Sequence, residues 1–319
     1  MKQILMIMLL LLLSGCSTKK DIKTKRVDKK TIQNNIKKSS SYNKVKTQKS
    51  TEKKSTVVSL SPLEYGLKGM KYIQNREYVK GREFLEKGCN LNDGISCYNL
   101  GIMYENAQGV TKDLPKSIKY YRKSCDNNFM KGCYNLGVSY YQGKGVPVNK
   151  AKAFKLYTKA CKNGDKTSAC YNLGGMYKRG EVTKKDTSKA LELYQIACDS
   201  GHAKGCFNSA IIYWEKGELR NTFNAFNQSC HYGDGEACFN MGSFYIDGKI
   251  VKKDISKAIN FYHEACSHGN GAGCNILGVI YVNGKKDYIK AKKFFSKACD
   301  LKDKEGCENY KRLKELLSK

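Results

Sequence analysis

Fifteen cysteines stand in a chain of 319 residues, and thiols have more chemistry open to them than any other side chain here. A thiolate binds metal, attacks an electrophilic carbon or couples to a second sulfur, and spacing decides among these. Fourteen cysteines fall into pairs: Cys89/Cys97, Cys125/Cys133, Cys161/Cys170, Cys198/Cys206, Cys230/Cys238, Cys266/Cys274 and Cys299/Cys307. Six pairs are eight residues apart and one is nine. Zinc sites favour cysteines about two to four residues apart, closed by two further ligands, and these pairs do not fit. His202, His231, His263 and His268 keep no register with the pairs, and no His-x-His occurs. No metal or other cofactor is expected. Disulfides in an exported protein remain, provided the chain is exported.

Cys16 stands outside the pairs, and the residues before it suggest why. Met1-Lys2-Gln3 carries one lysine, and Ile4 to Leu13 is an unbroken run of ten Ile, Leu and Met residues. At about 1.5 Å per residue the run makes roughly half a bilayer crossing, which is short for a spanning helix and right for the core of a secretory leader. It ends in Leu13-Ser14-Gly15-Cys16. That tetrad resembles the bacterial lipobox, whose cysteine is acylated and becomes the first residue of the mature chain. The resemblance implies a signal peptide over residues 1–15 and a lipid anchor at Cys16. Ser17, where an aspartate would redirect sorting, implies the outer membrane. One acyl chain holds a protein weakly, and several hold it stably.

A basic region follows over residues 16–58. Ser17 to Thr56 holds 14 Lys and Arg against 3 Asp and Glu and almost no large apolar residue. Such a segment cannot bury enough surface to offset its ordering entropy, so a disordered tether is expected. It would hold the remainder off the membrane and touch anionic headgroups or cell-wall polymer. Over the whole chain 58 Lys and Arg face 29 Asp and Glu, a formal charge of +29, which favours an acidic partner. Nucleic acid is not an expected partner outside the cytoplasm.

The elements that must position the paired cysteines repeat. Cys97 opens CYNLGIMYENAQGV, Cys133 CYNLGVSYYQGKGV, Cys170 CYNLGGMYKRGEV and Cys238 CFNMGSFYIDGKIV, with fainter copies from Cys206 and Cys274. The closing cysteines, from Cys89 to Cys299, are spaced by 36, 36, 37, 32, 36 and 33 residues. A period in this range signals a solenoid of stacked helix pairs. In the second segment of one repeat Ala258, Phe261, Tyr262, Ala265 and Cys266 form an apolar stripe at helical spacing. Asp254 precedes it as a helix cap, and Asp113, Asn149, Asp186 and Asp287 hold the equivalent place. In the first segments a tyrosine recurs at 104, 140, 177, 213, 245 and 281. A glycine recurs at 101, 137, 174, 242 and 278, with Ala210 in the odd repeat. A mid-helix glycine costs about 1 kcal/mol against alanine, so its recurrence predicts that a partner backbone passes too close for a side chain. Ala153, Ala190, Ala258 and Ala291 are the small residues expected to face it.

These segments resemble the Sel1-like repeat, a relative of the tetratricopeptide repeat, from Leu63 to the C-terminus. The marks are Asn-Leu-Gly-x-x-Tyr and Asp-x-x-Lys-Ala-x-x-x-Tyr-x-x-Ala. The resemblance implies an all-α, right-handed solenoid over residues 59–319. About six full repeats are expected, with a first hairpin (Leu63 to Cys89) and a last helix (Lys304 to Ser318) as caps. In helical terms one cysteine of each pair ends a second helix and its mate begins the next first helix. Neighbouring antiparallel helices bring such points near the roughly 5.5 Å Cα separation of a disulfide.

Cysteine pairs placed this way resemble the Helicobacter cysteine-rich protein family. That likeness implies an exported solenoid with one disulfide per repeat, and the lipobox and basic tether depart from it. It also brings a β-lactamase or penicillin-binding label. Ser-x-x-Lys occurs at Ser17, Ser41 and Ser50, all in the tether, while Ser-Asp-Asn and Lys-Thr-Gly do not occur. No catalytic residue is assigned. The expected function is binding of a protein or extended peptide along the concave side of a lipid-anchored envelope protein. A β-lactam-directed activity and a purely structural role are the alternatives. Asn99, Asn135, Asn172, Asn208 and Asn240 each stand two places after an opening cysteine. A row of amides could grip a peptide backbone, since each offers donor and acceptor together, or each could serve its own repeat. Trp214, the sole tryptophan, is a further candidate contact. The aromatics at 98, 134, 171, 207 and 239 are expected in the core.

Overall fold

The structure is a computed structural model that describes residues 60–284 and 286–318. The leader, Cys16, the Ser-x-x-Lys serines and the basic tether lie outside the described residues. From Leu60 onward the chain is one unit. Among the described residues there are fifteen α-helices and no strand.

Seven hairpins follow one another. The first joins α1 (Pro62–Gln74) to α2 (Tyr78–Asn90), the second α3 (Gly94–Asn106) to α4 (Leu114–Asp126). The third joins α5 (Met130–Gln142) to α6 (Lys150–Asn163), the fourth α7 (Ser168–Arg179) to α8 (Thr187–Asp199). The fifth joins α9 (Ala203–Glu215) to α10 (Leu219–His231), the sixth α11 (Gly235–Asp247) to α12 (Ile255–Ser267). The seventh joins α13 (Gly271–Asn283) to α14 (Tyr288–Asp300), and α15 (Lys304–Leu317) closes the stack in the place of an eighth first helix.

The second helices start on the caps read from the sequence. Asp113, Asn149, Asp186, Asp254 and Asp287 each accept the N–H of the lysine three residues on, at 2.7–3.0 Å. They end in a tight reversal through one left-handed residue, such as Asn92, Asn128 or Lys302. The turn leaves only three or four residues between a second helix and the next first helix, so the closing and opening cysteines meet.

All seven pairs are disulfides, with Cα separations of 4.4–4.8 Å. Each bridge ties the last turn of a second helix to the first turn of the next hairpin, so the bonds lie between hairpins. The first six are buried, while Cys299–Cys307, at the end of the stack, is half-buried.

Within a hairpin the recurring glycine holds the two helices close, but not by the backbone approach read from the sequence. A Cβ on Gly101 would lie 2.5 Å from ring carbons of Tyr121, one on Gly137 2.8 Å from Tyr157, and one on Gly278 2.4 Å from Phe295. The slot is filled by an aromatic ring from the second helix. Gly174 also nears backbone, at 3.2 Å from the Ala190 carbonyl, and there the Tyr194 ring is still closer. A ring buries more apolar area than a backbone contact, which offsets the propensity lost at glycine.

The invariant tyrosine has a different partner. The lysine that follows four of the five caps lays its ammonium over this ring: Lys116 on Tyr104 at 4.2 Å, Lys152 on Tyr140 at 5.2 Å, Lys257 on Tyr245 at 5.4 Å and Lys290 on Tyr281 at 5.7 Å. The Asp-x-x-Lys motif thus caps a helix through its first residue and clamps the hairpin through its last. In the fifth hairpin Glu218 and Asn221 replace that pair, and the Tyr213 hydroxyl instead takes a hydrogen bond from Gln195.

The closest approaches between helices two places apart all join first helices: α1 with α3, α3 with α5, α11 with α13 and α13 with α15. First helices therefore line the inner side of the stack.

Candidate functional site

The inner face is built from one stripe of each first helix. Asn99, Asn135, Asn172, Asn208 and Asn240 are all half-buried on it, one per hairpin. The residue before each asparagine leans into the hairpin and meets an aromatic ring of the second helix. Ring centroids are 6.0 Å apart for Tyr98–Tyr121, 5.9 Å for Tyr134–Tyr157, 5.7 Å for Tyr171–Tyr194, 5.3 Å for Phe207–Phe226 and 5.6 Å for Phe239–Tyr262. These aromatics, expected in the core, are half-buried and form the floor of the face.

The amides are used unequally. Asn99 donates to the Ile95 carbonyl of its own helix at 2.9 Å. Asn172 reaches across to the previous hairpin and donates to the Tyr134 hydroxyl at a long 3.5 Å. Asn135 lies close to the hydroxyls of Tyr98 and Tyr121, and Asn208 close to that of Tyr194, without closing a hydrogen bond. Asn309 of α15 repeats the link by donating to Asn275 at 2.9 Å. In the repeat before Asn240 the position equivalent to Tyr134 is Phe207, which has no hydroxyl, and the Asn240 side chain has no hydrogen-bond partner among the described residues. The row is thus partly an inter-hairpin ladder, which the sequence reading had placed within single repeats if structural at all. Each amide in it spends at most one donor, and the carbonyl oxygens of Asn135, Asn172, Asn208 and Asn240 accept from no described residue.

Burial raises the pKa of Tyr98 and Tyr134. It carries Tyr194 up to about 12, and it lifts Tyr121 further together with the Glu105 carboxylate, which accepts the Tyr121 hydroxyl at 2.6 Å. The hydroxyls stay neutral donors and acceptors, fit for positioning rather than proton transfer.

Trp214 sits in the last turn of α9 and is 52% exposed. It lies six residues after Asn208, about 120° round the helix from the amide stripe, and stacks on Phe244 of the next hairpin at 6.2 Å. One group of candidate metal ligands exists among the described residues: Cys230, Cys238 and Glu264. Its two sulfurs are bonded to each other and so offer no thiolate.

Six stretches match the Sel1 repeat, at residues 63–93, 94–129, 131–165, 167–202, 235–270 and 271–303, together more than half of the chain. The chain belongs to the Sel1 repeat family. Its first hairpin, read as a cap from sequence, is matched as a repeat, and the unmatched stretch from 203 to 234 contains the α9–α10 hairpin. Among solved structures it resembles a Sel1 repeat protein from Oxalobacter formigenes, 25% identical over 78% of this chain and 97% of that one, with a TM-score of 0.63. Helicobacter pylori cysteine-rich protein B is 38% identical over 34% of this chain and 83% of that one, with a TM-score of 0.31. The Helicobacter pylori protein named Beta-lactamase HcpA is 35% identical over 52 residues, 16% of this chain and 21% of the relative. The chain thus spans about a fifth of the length of the curated relatives it matches. As a cysteine-rich Sel1 repeat protein it has a fold that serves protein interaction.

Proposed function

We propose that this Sel1 repeat protein is a lipid-anchored component of the bacterial cell envelope that binds a protein or extended peptide along its inner face. The observation that carries the binding is the row of half-used amides above a floor of neutral aromatic side chains. Spare carbonyl oxygens at one-repeat intervals suit the N–H groups of an extended backbone, and the rings give apolar contact without demanding a sequence. The oxidised cysteines support an extracytoplasmic location, where such bonds persist. Cys16, behind its apolar leader, supports the anchor, and the basic segment supports contact with anionic headgroups.

The binding test is photo-crosslinking from the inner face in intact cells, followed by mass spectrometry of what is captured. Asn135→Ala with Asn172→Ala should weaken capture and leave the melting temperature nearly unchanged. A large loss of stability with unchanged capture would show that the amides serve the ladder alone. The anchor is tested separately by fatty-acid labelling, which Cys16→Ser should abolish.

The name of HcpA favours a second reading, hydrolysis or binding of β-lactams. Turnover of nitrocefin by the purified oxidised protein, lost on a point change in the inner face, would establish it.

A further inference from the structure

The edge where first helices hand over to second helices is uneven. Seven-residue linkers stand there in four hairpins: Ala107–Asp113, Gly143–Asn149, Gly180–Asp186 and Gly248–Asp254. The first three of those linkers fold back on the preceding hairpin. A Cβ on Gly109 would lie 2.1 Å from Tyr78, one on Gly145 2.7 Å from Leu114, and the linker residue Glu181 pairs with Lys150 at 3.3 Å. The fifth hairpin has only Lys216-Gly217-Glu218, and a Cβ on Gly217 would meet nothing within 4 Å. A notch is left between two full linkers. Trp214 lies at its base, half exposed and braced by Phe244, and Leu219, 44% exposed, opens α10 beside it.

The rim of the notch is basic. The preceding linker exposes Lys184 and Lys185, the following one Lys249, Lys252 and Lys253, and the short turn Lys216. The carboxylates of the same linkers are already engaged. Asp186 and Asp254 cap helices, and Glu181 accepts from Arg179 at 2.8 Å and from Tyr141 at 2.9 Å. Glu218 accepts from Asn221 at 2.7 Å, which leaves Glu215 and Asp247 as the opposing charges.

We propose that this notch docks an acidic segment of a partner protein, with one bulky apolar side chain of that segment seated on Trp214. The proposal rests on the reading of the inner face as a binding surface, and it names where the partner is anchored and by what chemistry. Aromatic anchors ringed by charge are typical of energetic centres in interfaces, and a lysine rim selects acidic over basic segments. The notch also continues the amide row, since Asn240 lies one helical turn before Phe244.

The sole tryptophan reports on its own site. The oxidised protein is titrated with a synthetic peptide of glutamates around a central leucine, beside an analogue with lysines for glutamates. The acidic peptide should shift Trp214 emission to the blue and protect it from acrylamide, and the basic analogue should do neither. Binding should weaken about tenfold between about 0.05 and 0.5 M salt. Lys249→Glu with Lys252→Glu and Lys253→Glu should weaken it about tenfold or more. Replacing Lys216–Glu218 with the seven-residue sequence of Gly248–Asp254 should fill the notch and remove the response. Unchanged quenching at saturating peptide, or equal affinity of the lysine triple variant, overturns the proposal. If the acidic peptide binds without shielding Trp214 and loses affinity with Asn135→Ala and Asn172→Ala, the notch is wrong and the inner-face reading stands. If neither set of variants changes binding, both fail.

Discussion

Replacing Gly101 with alanine probes how each hairpin is held. Taken alone the change favours helix by about 1 kcal/mol. In place, the new methyl would lie 2.5 Å from two ring carbons of Tyr121. That ring has no room to swing aside, being 1% exposed and fixed through its hydroxyl to Glu105 at 2.6 Å. Overpacking of a buried site costs about 1–3 kcal/mol, so a net loss of about 1 kcal/mol is expected. Gly174 is looser, with its nearest ring atom at 3.0 Å, and there gain and cost should nearly cancel. Ala210 supplies the reverse case. Its hairpin already accommodates the methyl opposite Phe226, so Ala210→Gly should lose about 1 kcal/mol with nothing returned. Urea unfolding of the oxidised protein, followed by far-UV circular dichroism, gives the order. Gly174→Ala should match the wild type and Gly101→Ala should fall below it. A Gly101→Ala protein as stable as the wild type, or Gly174→Ala as the weaker of the two, refutes the account of a ring filling the glycine slot.

Other predictions concern bonds and protons. Removing Cys230–Cys238 by double alanine substitution should cost about 2.5 kcal/mol in the chain-entropy description and split the calorimetric transition in two, because the bridge joins hairpins mid-stack. Removing Cys299–Cys307 should loosen only α15, read as faster hydrogen exchange there. His202 caps α9 by accepting the Gly205 N–H on Nδ1 at 3.1 Å and stacks on Tyr171 at 4.3 Å. Burial holds its pKa below the ordinary value, so the unfolded chain takes up the proton first. Stability should then be full above about pH 6.5 and fall as the pH drops below it, and His202→Asn should flatten that slope while keeping the cap. Glu181 is the acid counterpart. Burial pulls its carboxyl upward, but hydrogen bonds from Arg179, Tyr141 and Lys150 outweigh it and hold the pKa below the usual range. Its contribution should persist at neutral pH and vanish only as the pH falls through that lowered value, and Glu181→Gln should remove this acid limb from a pH–melting curve.

Much of the architecture was legible because it is local. The caps at Asp113, Asn149, Asp186, Asp254 and Asp287 and the cysteine intervals all lie within a few residues of what they control. The 32-residue interval from Cys198 to Cys230 marks the odd hairpin in the sequence itself. The glycine was read correctly as a close approach and wrongly as a backbone one. Its partner ring stands twenty residues away in Tyr121 or Tyr157, and the choice between backbone and ring depends on helix separation. The ladder was hidden for a like reason. Asn172 meets a hydroxyl at Tyr134, in another hairpin, and only the stacking angle makes them neighbours. The lysine clamp had a signal that was passed over, since a lysine three places after a cap and the invariant tyrosine recur together. The notch carried no signal beyond a short linker, because its openness depends on what neighbouring linkers cover.

Placement of the bridges also governs how the molecule answers a pulling force. Each bond short-circuits the turn it spans, so those eight or nine residues add nothing to the extended length. Only stretches such as Cys97 to Cys125 can pay out, at about 3.5 Å per residue. Pulled from its two ends, the oxidised chain would therefore lengthen in separate steps, one hairpin at a time, and each turn would remain as a covalent stop from which the next hairpin could rewind.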